Sequence, residues 1–364
     1  MNSNTWPGQT KRLRDMMEIE HPIIQAPMAG GLTTPELVAA VSNAGGLGSF
    51  PGGYLAPGEI DSAIRKIRAL TGKPFAVNLF TPEKAPRRKT PAKVMKKLGE
   101  IAGEVGAELP GEREAEGFTF EEQLGVILDN NVPVFSFTFG IPKRKHLKEL
   151  RRRKVTVIGT ATCVAEGVML VEAGCGALVA QGSEAGGHRG SFAHDGELPL
   201  VGSMSLTPQM ADKVGVPVIC SGGIMDGRGI AAALALGASA VQMGTAFLSS
   251  TEAEVPEPWL KALRNSLDSS TVLTRVYTGK YARGIKNRFV EVMTGLEDKV
   301  PAYPVQNYLT RSIRAAARAK GDAEFMSLWA GQSSPMSRRC TAGELVRMLV
   351  TEYGEVMERV SGRL

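Results

Sequence analysis

The chain has 364 residues, enough for one large α/β barrel with an appendage or for two ordinary domains. Its formal charge is +6, from 43 basic and 37 acidic residues, which suits an anionic ligand or plain solubility and is too small to argue for nucleic acid. Four cysteines, at 163, 175, 220 and 340, have neither metal-ligand spacing nor the density of a disulfide scaffold. MNSNTWPGQTKRLRD holds no apolar leader core and no run approaches a membrane span, so the expectation is a cytoplasmic protein with no metal and no membrane partner.

Short β-branched runs alternate with amphipathic segments, the pattern of βα units around a parallel sheet. The first strand is HPIIQAPM (21–28). A helix follows from Thr34-Pro35-Glu36, with Thr34 as N-cap and Pro35 at the first helical position, and stops at Gly45-Gly46. Next come the strand GLGSF, the helix APGEIDSAIRKIRAL and the strand PFAVNLF, ending at Phe80. Residues 81–117, basic and proline-studded and then acidic, break the rhythm and predict a solvated surface insertion of loop and helix. The rhythm resumes with the helix FEEQLGVILDNN and the strand VPVFSFTFG. KRKHLKELRRRK then forms an outer helix whose cations face water, with His146 exposed and inert. Strand VTVIGTA (155–161), helix TCVAEGVMLVEAG, strand ALVAQG (177–182) and a helix near SLTPQMADKVG follow. Strand VPVICSGG (216–223), helix GRGIAAALALG and strand SAVQMGTAF (239–247) complete the series. About eight such units ending near Ser250 close a TIM (β/α)8 barrel. The competing open doubly wound sheet lacks its GxGxxG turn, since the first turn reads APMAGGLTTPE. The predicted organisation is a barrel over 1–250, with the insertion at about 81–117, and a helical extension or cap over 251–364.

In such a barrel chemistry lies at the carboxyl ends of the strands, and the loops after the seventh and eighth commonly hold a phosphate. Here those loops read SGGIMDGRG (221–229) and QMGTAF (242–247). Gly222, Gly223 and Gly244 would let backbone N–H groups converge on phosphate oxygens, with the Thr245 hydroxyl and a helix N-terminus adding donors. The alternative is tight turns that only close the barrel. Gln25, Asn78 and Gln181 fall at other strand tips, where amides suit the edge of a flat heterocycle. FMN fits these features, with one phosphate, one planar ring and no second nucleotide. Between the sixth and seventh strands lies AQGSEAGGHRGSF (180–192), a loop with glycines at 182, 186, 187 and 190 and His188 in its middle.

Other polar residues carry less. His21 opens the first strand at the barrel's amino end and reads as structural. His194 could close over the site or sit exposed on its loop. Cys163 suits a small buried apolar role. Glu184 either orients His188 or caps the following turn.

QAPMAGG, FAVNLF, AQGSEAGGHRG, SGGI and QMGTAF, in that order, resemble the nitronate monooxygenase family, once called 2-nitropropane dioxygenases, and its sister enoyl-ACP reductases on the same FMN barrel. The resemblance covers most of residues 21–250 and, more loosely, ARGIKNRF, YPVQNYLTR and LWAGQ in the tail. It implies FMN-binding roles for Asn78, Gln181, Gly186, Gly223, Gln242, Gly244 and Thr245, an active-site role for His188, and a place beside the flavin for Met28. The HRG after the glycines is closer to the monooxygenases. The implied activity is oxidation of alkyl nitronates by O2 to a carbonyl compound and nitrite. In that chemistry His188 binds the nitro oxygens or takes the α-proton of a neutral nitroalkane, its ordinary pKa near 6.5 leaving both forms accessible. The alternatives are an NAD(P)H-dependent FMN reductase of enoyl thioesters or quinones, and a phosphate-binding barrel of the IMP-dehydrogenase kind. Against the last stands the lack of a cysteine in the 181–191 loop. The sequence leaves a homodimer open.

Overall fold

The computed structural model describes residues 6–82, 90–111, 117–193 and 198–362. Eight apolar runs become parallel strands: β1 (Ile23–Gln25), β2 (Gly48–Pro51), β3 (Phe75–Phe80), β4 (Val134–Thr138), β5 (Thr156–Ala161), β6 (Ala177–Gln181), β8 (Val218–Ser221) and β9 (Ala240–Met243). A short strand β7 (Gly187–His188) lies between the last three and outside their sheet. The order is β1-β9-β8-β6-β5-β4-β3-β2. Leu47 joins the two ends: its N–H donates to the Ile23 carbonyl and the Gln25 N–H donates to its own carbonyl, both at 2.9 Å. The sheet is therefore a nearly closed (β/α)8 barrel, as the strand count predicts.

Strand periodicity makes both the core and the floor of the site. Ile24, Ala76, Val134, Ile158, Val179, Ile219 and Ala240 form one apolar cluster, into which the helix Gly8–Met17 inserts Leu13 and Met17. Two residues further along each strand the same face carries Ala26, Asn78, Ser136, Thr160, Gln181, Ser221 and Gln242, and all seven line one cavity. Alternate residues such as Val77, Phe135, Val157 and Leu178 face the other way, into the layer packed with the surrounding helices.

Two expectations are corrected. The helix of the insertion, Ala92–Val105, is not simply solvated. Val94, Leu98, Ile101, Ala102 and Val105 are buried in a core shared with Ile313 and Ala317 of the helix Arg311–Lys320. Their spacing is a helical stripe masked by the lysines around it. Residues 83–89 and 112–116 of the insertion lie outside the described residues.

Nor is the tail purely helical. It contains β10 (Thr271–Thr274) and β11 (Ala282–Ile285), an antiparallel pair, and β11 pairs with β7 so that Ala282 lies opposite His188 and Arg283 opposite Gly187. Strands of four residues are too short to leave a usable periodicity, and the second partner of β11 lies far away in sequence. The last helix, Ala342–Val360, packs on the helices Pro35–Asn43 and Gly227–Ala235, and its Tyr353 stacks on Trp6 at 4.4 Å between ring centroids. Among the described residues no helix is long and apolar enough to cross a membrane.

Candidate active site

A cavity of about 920 Å³ opens at the carboxyl ends of the strands. Met28, Asn78, Gln181, Gly186, His188, Gly222, Gly223, Gln242, Gly244 and Thr245 all line it. Gln25 does not. In β1 the inward residue is Ile24, so strand alternation turns Gln25 away from the cavity. The Gln25 side chain is fully buried, donates to Thr33 Oγ1 at 3.3 Å and accepts the Ser49 N–H at 3.0 Å. It is a stitch between β1 and β2, and its expected place at the ligand is withdrawn.

At one end the cavity presents backbone. Gly222 and Gly223 have φ of 119° and 75°, a left-handed run that a side chain would strain. The N–H groups of Gly222, Gly223, Gly244 and Thr245 donate to no acceptor among the described residues. Orphan donors gathered at one end of a cavity suit an anion with several oxygens. Thr245 Oγ1 accepts the Gly331 N–H at 3.0 Å, which leaves its own proton for a ligand. The helix expected to begin there is a single turn, Thr245–Leu248, so these donors act singly, with no long helix dipole behind them.

The amides differ among themselves. Asn78 Nδ2 donates to Ser136 Oγ at 2.9 Å, leaving Oδ1 without a hydrogen bond, and Gln242 makes no side-chain hydrogen bond among the described residues. Gln181 is spent on its own loop: Nε2 donates to the His188 carbonyl at 2.9 Å and Oε1 accepts the Gly190 N–H at 2.8 Å.

At the other end the cavity presents rings. Phe139, Trp329 and Tyr303 surround His188 at centroid distances of 5.7, 5.6 and 6.4 Å. Phe139 itself has φ of 73°, an unusual conformation for a bulky residue, at the tip of β4. Burial pushes the imidazole pKa down to about 3, and the charges of Lys280 and Arg314 push the same way. The ring is therefore neutral at physiological pH, which corrects the expectation that both forms are accessible. Its tautomer follows from Thr278. The Thr278 hydroxyl lies 2.9 Å from His188 Nε2 and donates its one proton to the Lys280 carbonyl at 3.0 Å. With the Thr278 proton on the Lys280 carbonyl, Nε2 is the donor in its own pair and Nδ1 carries the lone pair.

The loop that carries His188 is clamped from both sides. Arg189, 1 % exposed, donates through Nη2 to the Gln181 carbonyl at 3.1 Å and through Nη1 to that of Gly182 at 2.5 Å. From the tail, Arg283 Nε donates to the Ser183 carbonyl at 2.9 Å, and the Arg189 N–H donates to the Tyr281 carbonyl at 2.8 Å. Gly186 permits the tail to lie against the loop, since a Cβ there would sit 2.5 Å from Ala330 C and Gly331 N. Buried Glu166 accepts the N–H groups of Thr162, Phe192 and Ala193 and holds the loop's far end. Glu184 resolves to the capping role: its carboxylate accepts the Ser203 N–H at 2.8 Å and the Ser203 hydroxyl at 2.9 Å, at the start of the helix Ser203–Lys213.

The remaining histidines and Cys163 lie elsewhere. His21 accepts from Trp6 Nε1 at 3.4 Å. His146 is not exposed as expected: only 11 % of its side chain is accessible, beside Glu121 and edge-on to Phe120, away from the cavity. Cys163 precedes the helix Val164–Ala173 and does not line the cavity. His194 lies outside the described residues. Sequence reasoning missed Thr278, Tyr303, Trp329, Phe139 and Arg314 as site residues. YPVQNYLTR and LWAGQ did mark two of their segments, though without a role.

A barrel whose strand tips combine orphan backbone donors with a half-buried neutral imidazole defines a small-molecule-binding TIM-barrel protein of the enzyme kind. The sequence model described as nitronate monooxygenase matches residues 10–352, and the chain belongs to the nitronate monooxygenase family. It is 42 % identical over 353 residues to a probable nitronate monooxygenase of Staphylococcus saprophyticus, covering 96 % of this chain and 99 % of that one. A probable nitronate monooxygenase of Staphylococcus aureus is 44 % identical over 349 residues, 95 % of this chain and 98 % of that one. Among solved structures, nitroalkane oxidase from Streptomyces ansochromogenes matches with a TM-score of 0.89 and 40 % identity over 96 % of this chain and 99 % of that one. FabK from Thermotoga maritima matches with a TM-score of 0.77 and 30 % identity, over 97 % and 99 %. The family is one of oxidoreductases.

Proposed function

We propose that the chain is an FMN-dependent nitronate monooxygenase, oxidising alkyl nitronates with O2 to a carbonyl compound and nitrite. The observation that carries this reading is the pairing, across one cavity, of four orphan backbone N–H groups with a neutral imidazole in a ring-lined recess. Gly222, Gly223, Gly244 and Thr245 would hold the FMN phosphate, and the free amide groups of Asn78 and Gln242 would meet the ring edge. Met28 borders the same space. In this reading residues 1–250 carry the cofactor, and 251–364 complete the pocket over it. When bound, FMN supplies the electron acceptance that oxidation of an electron-rich nitronate requires.

The chain's own residues set which form of substrate reacts. With its pKa pushed down to about 3, His188 Nδ1 is a weak base and would remove an α-proton from a neutral nitroalkane poorly. A preformed nitronate needs no such step, so the neutral imidazole serves to position it and to keep water from the reacting carbon. Phe139, Tyr303 and Trp329 exclude water around the ring.

A second reading, an NAD(P)H-dependent FMN reductase of enoyl thioesters or quinones, draws support from cavity size. At about 920 Å³ the space lies near the top of the usual range of about 300–1,000 Å³ and leaves room for a larger partner. Anaerobic mixing with ethylnitronate and, separately, with NADH decides between them. Bleaching of the flavin by the nitronate is the expected result, and rapid bleaching by NADH alone would move the assignment to the reductase. A colourless protein that takes up no added FMN would end both.

A further inference from the structure

The charge around the cavity is unbalanced in a way that a cofactor phosphate at the Gly222 end does not absorb. Arg311, Arg314 and Arg318, spaced three and four along one helix, all line it. Glu59 is the one carboxylate among the described lining residues, and it is occupied with accepting the Ala56 N–H at 2.7 Å to cap its own helix. Arg318 is satisfied locally, donating to the carbonyls of Gly30 at 3.2 Å and Glu254 at 3.0 Å. Arg311 is exposed to solvent.

Arg314 is different from both. Its Nη2 donates to the carbonyl and to Oδ1 of Asn307, at 3.0 and 2.8 Å. Its Nε is buried without an acceptor, and no partner for Nη1 and no ion pair are found among the described residues. Burial opposes its charge, and the neighbouring charge of Arg311 opposes it further. A guanidinium taken out of water without a counter-ion destabilises the fold, and an incoming anion relieves that cost. Arg314 and His188 line the same cavity, and the charge of Arg314 pushes the His188 pKa down.

We propose that Arg314 is the residue that binds the anionic head of the substrate, its free Nη1 donating to the oxygens of the nitronate so that the reacting carbon lies beside His188. This rests on the reading of the substrate as a nitronate and makes Arg314 the source of preference for the anion over the neutral nitroalkane. Charge-assisted hydrogen bonds to an anion are the stronger kind, and guanidinium is a weakly hydrated donor suited to a partly dry site.

The test uses the flavin-loaded protein and nitrate, an inert planar anion, followed through the visible spectrum of the bound flavin and as a competitor of ethylnitronate. In Arg314→Gln, nitrate affinity is expected to fall and the KM for ethylnitronate to rise by about 10- to 100-fold. kcat should stay within about threefold and flavin content should be unchanged, with Arg314→Lys intermediate. A folded, flavin-loaded Arg314→Gln protein with wild-type nitrate affinity and KM overturns the proposal. If Arg314→Gln does not fold, the wild type decides by comparison with urea, a neutral planar analogue: tighter binding of nitrate than of urea supports the proposal, and equal binding overturns it. Should the wild type oxidise no nitronate, the substrate assignment falls by itself, and the nitrate titration still judges Arg314.

Discussion

The two ends of the cavity are built by different means. The Gly222 end is backbone: two short loops at neighbouring strand tips, whose donors are set by φ angles and by a fold that brings β8 beside β9. The His188 end is side chain, assembled from β4, the loop after β6, the β10–β11 hairpin and the 328–333 segment. Glycine pattern announces the first kind of site, because few other residues can adopt the geometry. The second kind has no local signature, since its parts meet only when the tail folds back.

This contrast can be broken experimentally. The largest effect is expected from Gly222→Val, which forces a β-branched residue into φ of 119° and puts side-chain bulk 3.1 Å from the Ala185 nitrogen. The purified variant should keep its circular dichroism but lose its flavin, with FMN affinity down about 100-fold or more. Retention of the yellow colour would place the phosphate elsewhere. His188→Asn attacks the other end alone. It should keep the flavin and lower ethylnitronate turnover by about 100-fold; loss of flavin on this change would mean that the two ends are not separable.

Thr278→Val sharpens the comparison by releasing only the tautomer. A drop in kcat/KM of about tenfold, recovered in Thr278→Ser, is expected. Equal rates in the Val and Ser variants would show that Nε2 needs no fixed partner. Gln25→Ala tests the residue whose place was corrected. It leaves the buried Ser49 N–H unpaired, so unfolding free energy should fall by about 1–3 kcal/mol while FMN affinity stays unchanged. A changed FMN affinity would return Gln25 to the ligand.

The last prediction concerns pH dependence. His188 has its pKa pushed down to about 3 in the fold, so between pH 6.5 and 3 the unfolded chain binds the proton and the folded one does not. Stability is therefore fully present above pH 6.5 and declines as the pH falls through that value. His188→Gln should flatten the part of the acid-side loss in thermal stability that belongs to this ring. His21, whose pKa burial also lowers, would keep a share of it.

Much of this was readable without a structure. The eight barrel strands, the glycine turns at 222–223 and 244, and His188 in its loop all follow from period-2 runs, turn residues and motif order, each of them local. Gln25 failed because strand parity at the short β1 could be counted either way until Ile24 was seen facing inward. The insertion helix failed because its stripe is diluted by lysines, and the β10–β11 hairpin because its strands are four residues long and β11 takes its second partner from the His188 loop, far away in sequence.

What the chain determines by itself is the barrel and the backbone cradle, since both depend on the conformational preferences of residues close together in sequence. What only tertiary structure decides is the electrostatic state of the imidazole: its tautomer, its depressed pKa and the uncompensated guanidinium beside it. Those properties come from desolvation and from groups on segments 90 or more residues further along the chain, and neither exists until the chain has closed around them.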